Sequence, residues 1–540
     1  MSKPSSKKRG KKPATKQPSS IDTALQQAQA LHQAGNAQQA AALYQQILQA
    51  RPDHFDALNM FARLMIECGR GADALQLIEQ ALRVNPASAM AWTNRGHILN
   101  SMRHLEEALA NYDHALILNP DMVETHFNRG VVLREMNRIE EAVASYDRAL
   151  KLRRNNPDAW NNRGEALMVL GRHEEALASY DKALKRNPGF PEALYNRGNV
   201  LRALGRYKEA LTCWERAQRL KPDYANAYYN EALCHLLLGD YEQGWEKYEW
   251  RWQALLKEHR RDFSQPLWLG QEDISGKTIL LHAEQGFGDT IQFCRYAQHV
   301  AALGATVLLE TQPSLVTLMR TLEGPSNVLA KGAPLPEFDF HTPLLSLPLA
   351  CKSTLGTSIP AHIPYLTVPP GSMEKWSNES GDDNRLRVGL AWSGSATHLN
   401  DRNRSIPLAQ LSPLLKNQQA TFISLQKDIR DYDQPQLAEF PQLSHYSERL
   451  QDFADTAALI VTLDLVITVD TSVAHLAGAL GKNVWIMLPH DPDWRWLLDT
   501  TDSPWYPTAK LYRQPAAANW DRVIQNITED LNRLTQADKR

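Results

Sequence analysis

The sequence predicts an α-helical solenoid followed by an α/β domain of two Rossmann-type lobes, and three observations carry that prediction. Asn recurs every 34 residues at Asn94, Asn128, Asn162, Asn196 and Asn230, with Gly96, Gly130, Gly164 and Gly198 keeping the same step two residues later. The period stops near residue 254. Beyond it, strand-like apolar runs alternate with helical stretches, the pattern of parallel β/α winding.

Composition bounds the function. A chain of 540 residues holds roughly three or four ordinary domains. Its net charge of −2 argues against duplex nucleic acid, whose phosphates require a basic face. Residues 1–20 differ: seven Lys or Arg and no Asp or Glu read as a disordered basic tail. No apolar core of a leader follows and no run reaches membrane-spanning length, so a cytoplasmic chain is expected. Five widely spaced cysteines without a C-x-x-C suit reduced thiols and offer no zinc site.

Within residues 21–254 the register holds at small Ala108, Ala142, Ala176 and Ala210 and at aromatic Tyr112, Tyr146, Tyr180, Trp214 and Tyr248. It holds again at Ala115, Ala149, Ala183 and Ala217, and at Pro52, Pro86, Pro120, Pro188 and Pro222. This is the tetratricopeptide signature, and it gives seven units of two amphipathic helices that bury their apolar faces by stacking. Arg154 stands where the fifth unit should have its Pro, with Pro157 three residues on, so that turn is expected to be rebuilt. The five Asn residues fall on first helices, where each amide offers a donor and an acceptor to the backbone of an extended peptide. Arg95, Arg129, Arg163 and Arg197 follow four of them and could charge the rim. Plain solvation or local capping is the alternative, yet Asn has only middling helix propensity.

Trp245, Tyr248, Trp250 and Trp252 then crowd a junction that runs through residues 255–275, read as a rigid joint with Arg251 available to stack or pair. A first lobe is expected over 276–368: a strand over 277–283, the tight Gly286-Phe287-Gly288 loop, a helix over 289–303 and a strand over 306–309. The polar stretch 369–384 separates a second lobe, 385–535, with strands over 387–392, 420–426, 465–469 and 484–488 and a helix over 472–480. A cleft between strand C-termini is the usual ligand seat.

The Gly286 to Ile291 loop is neither G-x-G-x-x-G nor a Walker loop. Asp289 reads either as a helix cap or as a general base. Asp470, Thr471 and Ser472 mark a strand giving way to a helix, where hydroxyls, free amides and the dipole suit a diphosphate. His475 lies one turn further, and Arg402 and Arg404 follow Ser393-Gly394-Ser395. Asp431, Asp433, Asp491 and Asp493 read as loop acids, not a metal site, and Trp494, Arg495 and Trp496 as packing or as a donor border.

The run from Val469 to Ala477, with the Gly288-Asp289 and Trp392-Ser393-Gly394 loops, resembles the heptosyltransferase-like glycosyltransferases of the GT-B fold. Joined to tetratricopeptide repeats, it resembles the O-linked N-acetylglucosamine transferases and bacterial repeat-led protein glycosyltransferases. That resemblance implies Asp289 as the base and Thr471 and Ser472 as diphosphate contacts. It places Arg404 as basic donor ligand where relatives often carry Lys; beside it, Ser393, Gly394, Asp470, His475 one helix turn on and Gln426 at its strand end are read from their positions as donor contacts. It implies a nucleotide-sugar co-substrate, no cofactor or metal, and an inverting displacement onto a protein acceptor held by the repeats. Two rivals stand: a non-catalytic scaffold with a degenerate transferase domain, and a transferase acting on a lipid-linked saccharide.

Overall fold

The computed structural model describes residues 20–355, 359–360, 362–379, 385–398 and 400–537. The basic tail therefore lies outside the described residues except for Ser20, as do residues 380–384 of the polar stretch. The chain divides into two compact units, one ending at Leu220 and one beginning at Lys221. Fourteen consecutive helices, from Ser20–Gln33 to Tyr241–Tyr248, form the repeat solenoid, and two parallel sheets follow.

In the first unit, twelve of those helices pair as six hairpins. The glycine series explains how closely the pairs pack. A Cβ on Gly96, Gly130 or Gly164 would lie 2.7, 2.6 or 2.6 Å from the ring of Tyr112, Tyr146 or Tyr180, and one on Gly198 would lie 2.5 Å from Trp214. Each aromatic thus lies flush on the first helix of its own hairpin, and its ring is buried. A second 34-residue series sits in the turn inside each hairpin. Gly35, Gly69, Arg103, Asn137, Gly171 and Gly205 all have positive φ, between 59° and 77°. A left-handed residue ends each first helix, which is why glycine dominates the series. In the fifth unit Pro157 opens its helix and the Asn156 side chain accepts from the Ala159 N–H at 3.1 Å, so an Asn cap does the work of the missing proline register.

The second unit begins with the seventh hairpin, Ala225–Leu237 and Tyr241–Tyr248, and a short helix, Arg251–Ala254. Its aromatics are buried in one cluster. Trp245 meets Trp494 at 5.2 Å, Phe293 at 6.1 Å and Trp505 at 6.5 Å between ring centres, and Tyr241 stacks on Trp505 at 5.9 Å. Arg251 both stacks and pairs: its guanidinium lies 5.1 Å from the Tyr248 ring and 4.9 Å from the Trp252 ring. It donates to Glu249 at 2.6 Å, Ser346 at 2.7 Å and Glu284 at 3.1 Å.

The first sheet has four parallel strands, β1 (Thr278–His282), β2 (Thr306–Thr311), β3 (Pro325–Ala330) and β4 (Phe340–Pro343), in the order β3-β2-β1-β4. The second has six, β5 (Leu386–Ala391), β6 (Ala420–Ser424), β7 (Leu443–His445), β8 (Leu465–Val469), β9 (Val484–Leu488) and β10 (Ala509–Arg513), in the order β10-β9-β8-β5-β6-β7, again all parallel. Its core includes Val388, Leu390, Phe422 and Ile467, covered by Val523, Ile524, Ile527 and Leu531 of the helix Trp520–Ala537. One expected element is corrected: the helix over 289–303 is two, Phe287–Phe293 and Tyr296–Ala302. The break falls at Arg295, which is buried and donates to the Gln292 carbonyl at 2.9 Å, the Trp505 carbonyl at 2.9 Å and the Tyr365 hydroxyl at 2.9 Å. Satisfying that guanidinium outweighs one continuous helix.

Candidate functional site

A parallel sheet offers a ligand seat beyond its strand C-termini where the winding reverses. The first sheet reverses between β1 and β4, the second between β5 and β8. The residues that leave β1 are Glu284, Gly286 and Asp289, those that leave β5 are Trp392, Ser393 and Gly394, and those that leave β8 are Asp470 and Thr471. The helices Phe287–Phe293 and Ser472–Ala479 meet closely, because a Cβ on Gly288 would stand 2.9 Å from the His475 ring and 3.6 Å from the Ser472 Cα. Only glycine permits that approach.

Asp289 is the third residue of its helix. Its Oδ2 accepts from the Gly286 N–H at 2.8 Å, so the capping reading is met, though from inside the first turn. Its Oδ1 accepts from Arg495, which sequence reading assigned to packing or to a donor border. Arg495 is buried and also donates to Gln292 at 2.7 Å and to Asp493 at 2.8 Å, with its guanidinium 4.3 Å from the Trp494 ring. It therefore links the loop after β9 to the carboxylate beyond β1. No local signal announces this pair, whose members stand 206 residues apart.

Around β5 and β8 the positions named for the donor divide. Arg404 donates through Nη1 to the Asp470 carbonyl at 2.8 Å, just before the helix start at Ser472. A Cβ on Gly394 would lie 2.5 Å from Arg404 Nη2, so the guanidinium lies across that glycine. Among the described residues Arg404 Nε and Ser393 Oγ are both buried without a hydrogen bond, the Nε lying 3.8 Å from the Asp401 carboxylate. Thr471 caps its helix, accepting from the Val473 N–H at 3.3 Å, and Ser472 is half-buried beside it. The Asp470 carboxyl is raised above its ordinary value by burial and then by Asp493, with Arg404 and Arg495 opposing.

Two donor expectations are corrected. The Gln426 amide is fully committed: its Oε1 accepts from the Trp392 and Ser393 N–H groups at 3.3 Å each, and its Nε2 donates to the Ser393 carbonyl at 3.0 Å and the Asp428 carbonyl at 3.1 Å. It shapes the Ser393 loop and has no capacity left for a nucleotide. His475 is buried, hydrogen-bonded to the Tyr506 hydroxyl at 3.0 Å and stacked on Trp496 at 5.4 Å. Burial, then Arg495, Arg295 and Arg404, push its pKa well below the ordinary imidazole value, so it stays neutral and does not balance an anion.

In the repeats, the five Asn residues occupy the sixth position of their first helices and are half-buried. Several of these amides already have partners within the repeats. Asn94 donates to Asn59 at 2.7 Å, Asn196 donates to Asn161 at 3.1 Å and Glu165 at 3.0 Å, and Asn162 accepts from Asn161 at 3.4 Å. Asn128 makes no side-chain hydrogen bond among the described residues, and Asn230 has a partner of its own. The arginines do not charge a rim either. Arg95 pairs with Glu79, and Arg129, Arg163 and Arg197 pair with Asp113, Asp147 and Asp181, each 16 residues earlier. Each also donates 16 residues ahead, to Asn111, Ser145, Ser179 or Cys213.

Comparison with known proteins agrees with the repeat half. Tetratricopeptide repeat families match residues 31–95, 99–157, 127–191 and 179–212, and a TPR repeat family matches 198–239. Tetratricopeptide repeats are thus present across the N-terminal region. Protein FlbA of Caulobacter vibrioides is 26% identical over 318 residues, covering 54% of this chain and 52% of that protein. The chain therefore spans about half the length of this curated relative. Among solved structures, pilF of Pseudomonas aeruginosa is 21% identical with a TM-score of 0.37, covering 39% of this chain and 96% of its own. YrrB, described as a TPR protein with an unusual peptide-binding site, is 22% identical with a TM-score of 0.32, covering 35% and 98%. No helix among the described residues is long and apolar enough to cross a membrane.

Proposed function

We propose that the α/β half is an inverting glycosyltransferase that uses a nucleoside-diphosphate sugar, and that the repeats hold its protein acceptor. The observation that carries this reading is the pair of buried polar atoms without a hydrogen bond among the described residues, Ser393 Oγ and Arg404 Nε, at the reversal point of the second sheet and beside the start of the helix Ser472–Ala479. Leaving such atoms unmatched costs about 1–3 kcal/mol each, which a diphosphate oxygen would recover. A guanidinium and a helix N-terminus are the groups that stabilise a departing diphosphate. Asp289 then takes the proton from the acceptor hydroxyl as its oxygen attacks the anomeric carbon and the bond to the nucleoside diphosphate breaks. Two of the roughly four lone-pair sites of that carboxylate are in use, which leaves room for the incoming hydroxyl.

A scaffold without chemistry draws support from the same Asp289, because both its oxygens are already engaged. The two readings separate on Asp289→Asn. Incubated with UDP-, GDP- and ADP-sugars and a protein acceptor, the full chain releases nucleoside diphosphate, and the variant loses that activity by about 100-fold or more while keeping a cooperative melt. Equal release by both proteins removes Asp289 from the mechanism.

A further inference from the structure

The fifth repeat carries a feature that the transferase reading does not use. The helices Ile139–Leu152 and His173–Arg186 both end beside the start of Pro157–Val169. There Lys151, Arg154, Trp160, Lys182, Lys185 and Arg186 line a cavity of about 840 Å³. The indole is its fixed element: Trp160 Nε1 donates to the Arg154 carbonyl at 3.1 Å, the same six-residue closure that Trp92 makes to Pro86 at 2.8 Å. Because the proline register fails in this unit, Arg154 stands at that turn and adds its charge to the rim. Lys182 Nζ lies 4.4 Å from the Trp160 ring centre and the Arg186 guanidinium 5.9 Å.

What distinguishes these cations is that five of them converge on one cavity, whereas several other basic residues of the repeats are paired. Arg138, Arg172 and Arg206 each grip the glutamate three residues on, and Arg148 pairs with Asp121. Among the described residues, Lys151, Arg154, Lys182, Lys185 and Arg186 have no carboxylate partner. The one acid in the lining, Asp147, is already bound by Arg163 at 2.6 Å. The two helix ends account for roughly one negative charge in total, so most of the five positive charges stay uncompensated.

We propose that this cavity binds an acidic peptide segment, with its carboxylates on the cationic rims that flank Trp160. The walls favour carboxylates spaced along a chain over a compact phosphate. Helix C-termini present carbonyl oxygens, whereas tight phosphate seats gather backbone N–H groups. The site lies wholly in the first unit, so it stands independently of Asp289 and Arg404.

The test titrates the full chain by calorimetry with the blocked peptide acetyl-Glu-Glu-Leu-Glu-Glu-amide, beside inorganic pyrophosphate. The peptide binds, its affinity falls as salt rises from about 50 to about 200 mM, and Lys182→Glu with Lys185→Glu weakens it by about tenfold or more. Both lysines are exposed, so the fold tolerates the change. Arg172→Glu with Arg206→Glu, which makes the same charge change outside the cavity, leaves the affinity unchanged. Absence of peptide binding, equal affinity in the double variant, or pyrophosphate binding that is tighter than the peptide's and is weakened by the double variant each overturns the proposal.

Discussion

Residues 20–220 and residues 221–540 treat their arginines in opposite ways. In the repeats, Arg129, Arg163 and Arg197 are copies: partly exposed, paired with an Asp 16 residues back, and matched to acids that are about half exposed. In the second unit, Arg251, Arg295 and Arg495 are 0%, 2% and 7% exposed, and each has a different partner set. A contact that recurs with the period maintains the array, because stacking identical units reproduces it without further selection of partners. A buried charge that occurs once needs its own explanation, and two of these three flank the loops that leave β1 and β9.

That contrast is open to direct attack. The largest effect belongs to Arg251→Ala, which strands the Glu284 carboxylate without its guanidinium and lowers unfolding free energy by about 3–5 kcal/mol. Denaturant melts check it, and a loss under 1 kcal/mol, read as about the value of a surface pair, would make Arg251 no different from the repeat arginines.

Glu284→Gln sharpens the comparison through pH. Burial, against the opposing pull of Arg251, raises the Glu284 carboxyl from its ordinary value near 4.5 to about 7. Between those values the folded chain holds the proton and the unfolded chain has lost it, so this group's contribution makes stability fall as pH rises through that window. The total is about 3 kcal/mol, and Glu284→Gln, which cannot ionise, flattens that slope. Melts from pH 4.5 to 8 show it, and an unaltered slope would assign the ionisation elsewhere.

The smallest effect is Arg163→Ala. Asp147 is about half exposed, so its ion pair with Arg163 contributes about 0.2–1 kcal/mol, and the pair of Arg129 with Asp113 matches it because that geometry repeats.

The same division governs what the sequence reveals. The helix pairs, the flush glycines under Tyr112, Tyr146 and Tyr180, and the apolar runs Leu465–Val469 and Val484–Leu488 are local or periodic signals and are legible. The left-handed turn series was present too, at Gly35, Gly69, Gly171 and Gly205, but Arg103 and Asn137 interrupt it and hide the step. The short strands β3, β4 and β10 lack a distinguishing period. The links from Arg495 to Asp289 and from Arg251 to Glu284 are invisible because they join residues 206 and 33 apart. Asp289 and Arg404 were legible as candidates; what engages them was not. Gln426 and His475 looked like ligand groups because sequence cannot show that their hydrogen bonds are already taken.

Ser393 Oγ and Arg404 Nε, which lack hydrogen bonds among the described residues, are the proposed seat of a diphosphate. Calorimetric titration of the full chain with UDP-, GDP- and ADP-sugars, repeated on Arg404→Ala, tests it most directly. One of these sugars should bind, and the variant should lose about 1.5–3 kcal/mol of that affinity, the worth of hydrogen bonds to a charged group. No binding by any of them, or equal affinity in the variant, would contradict the claim.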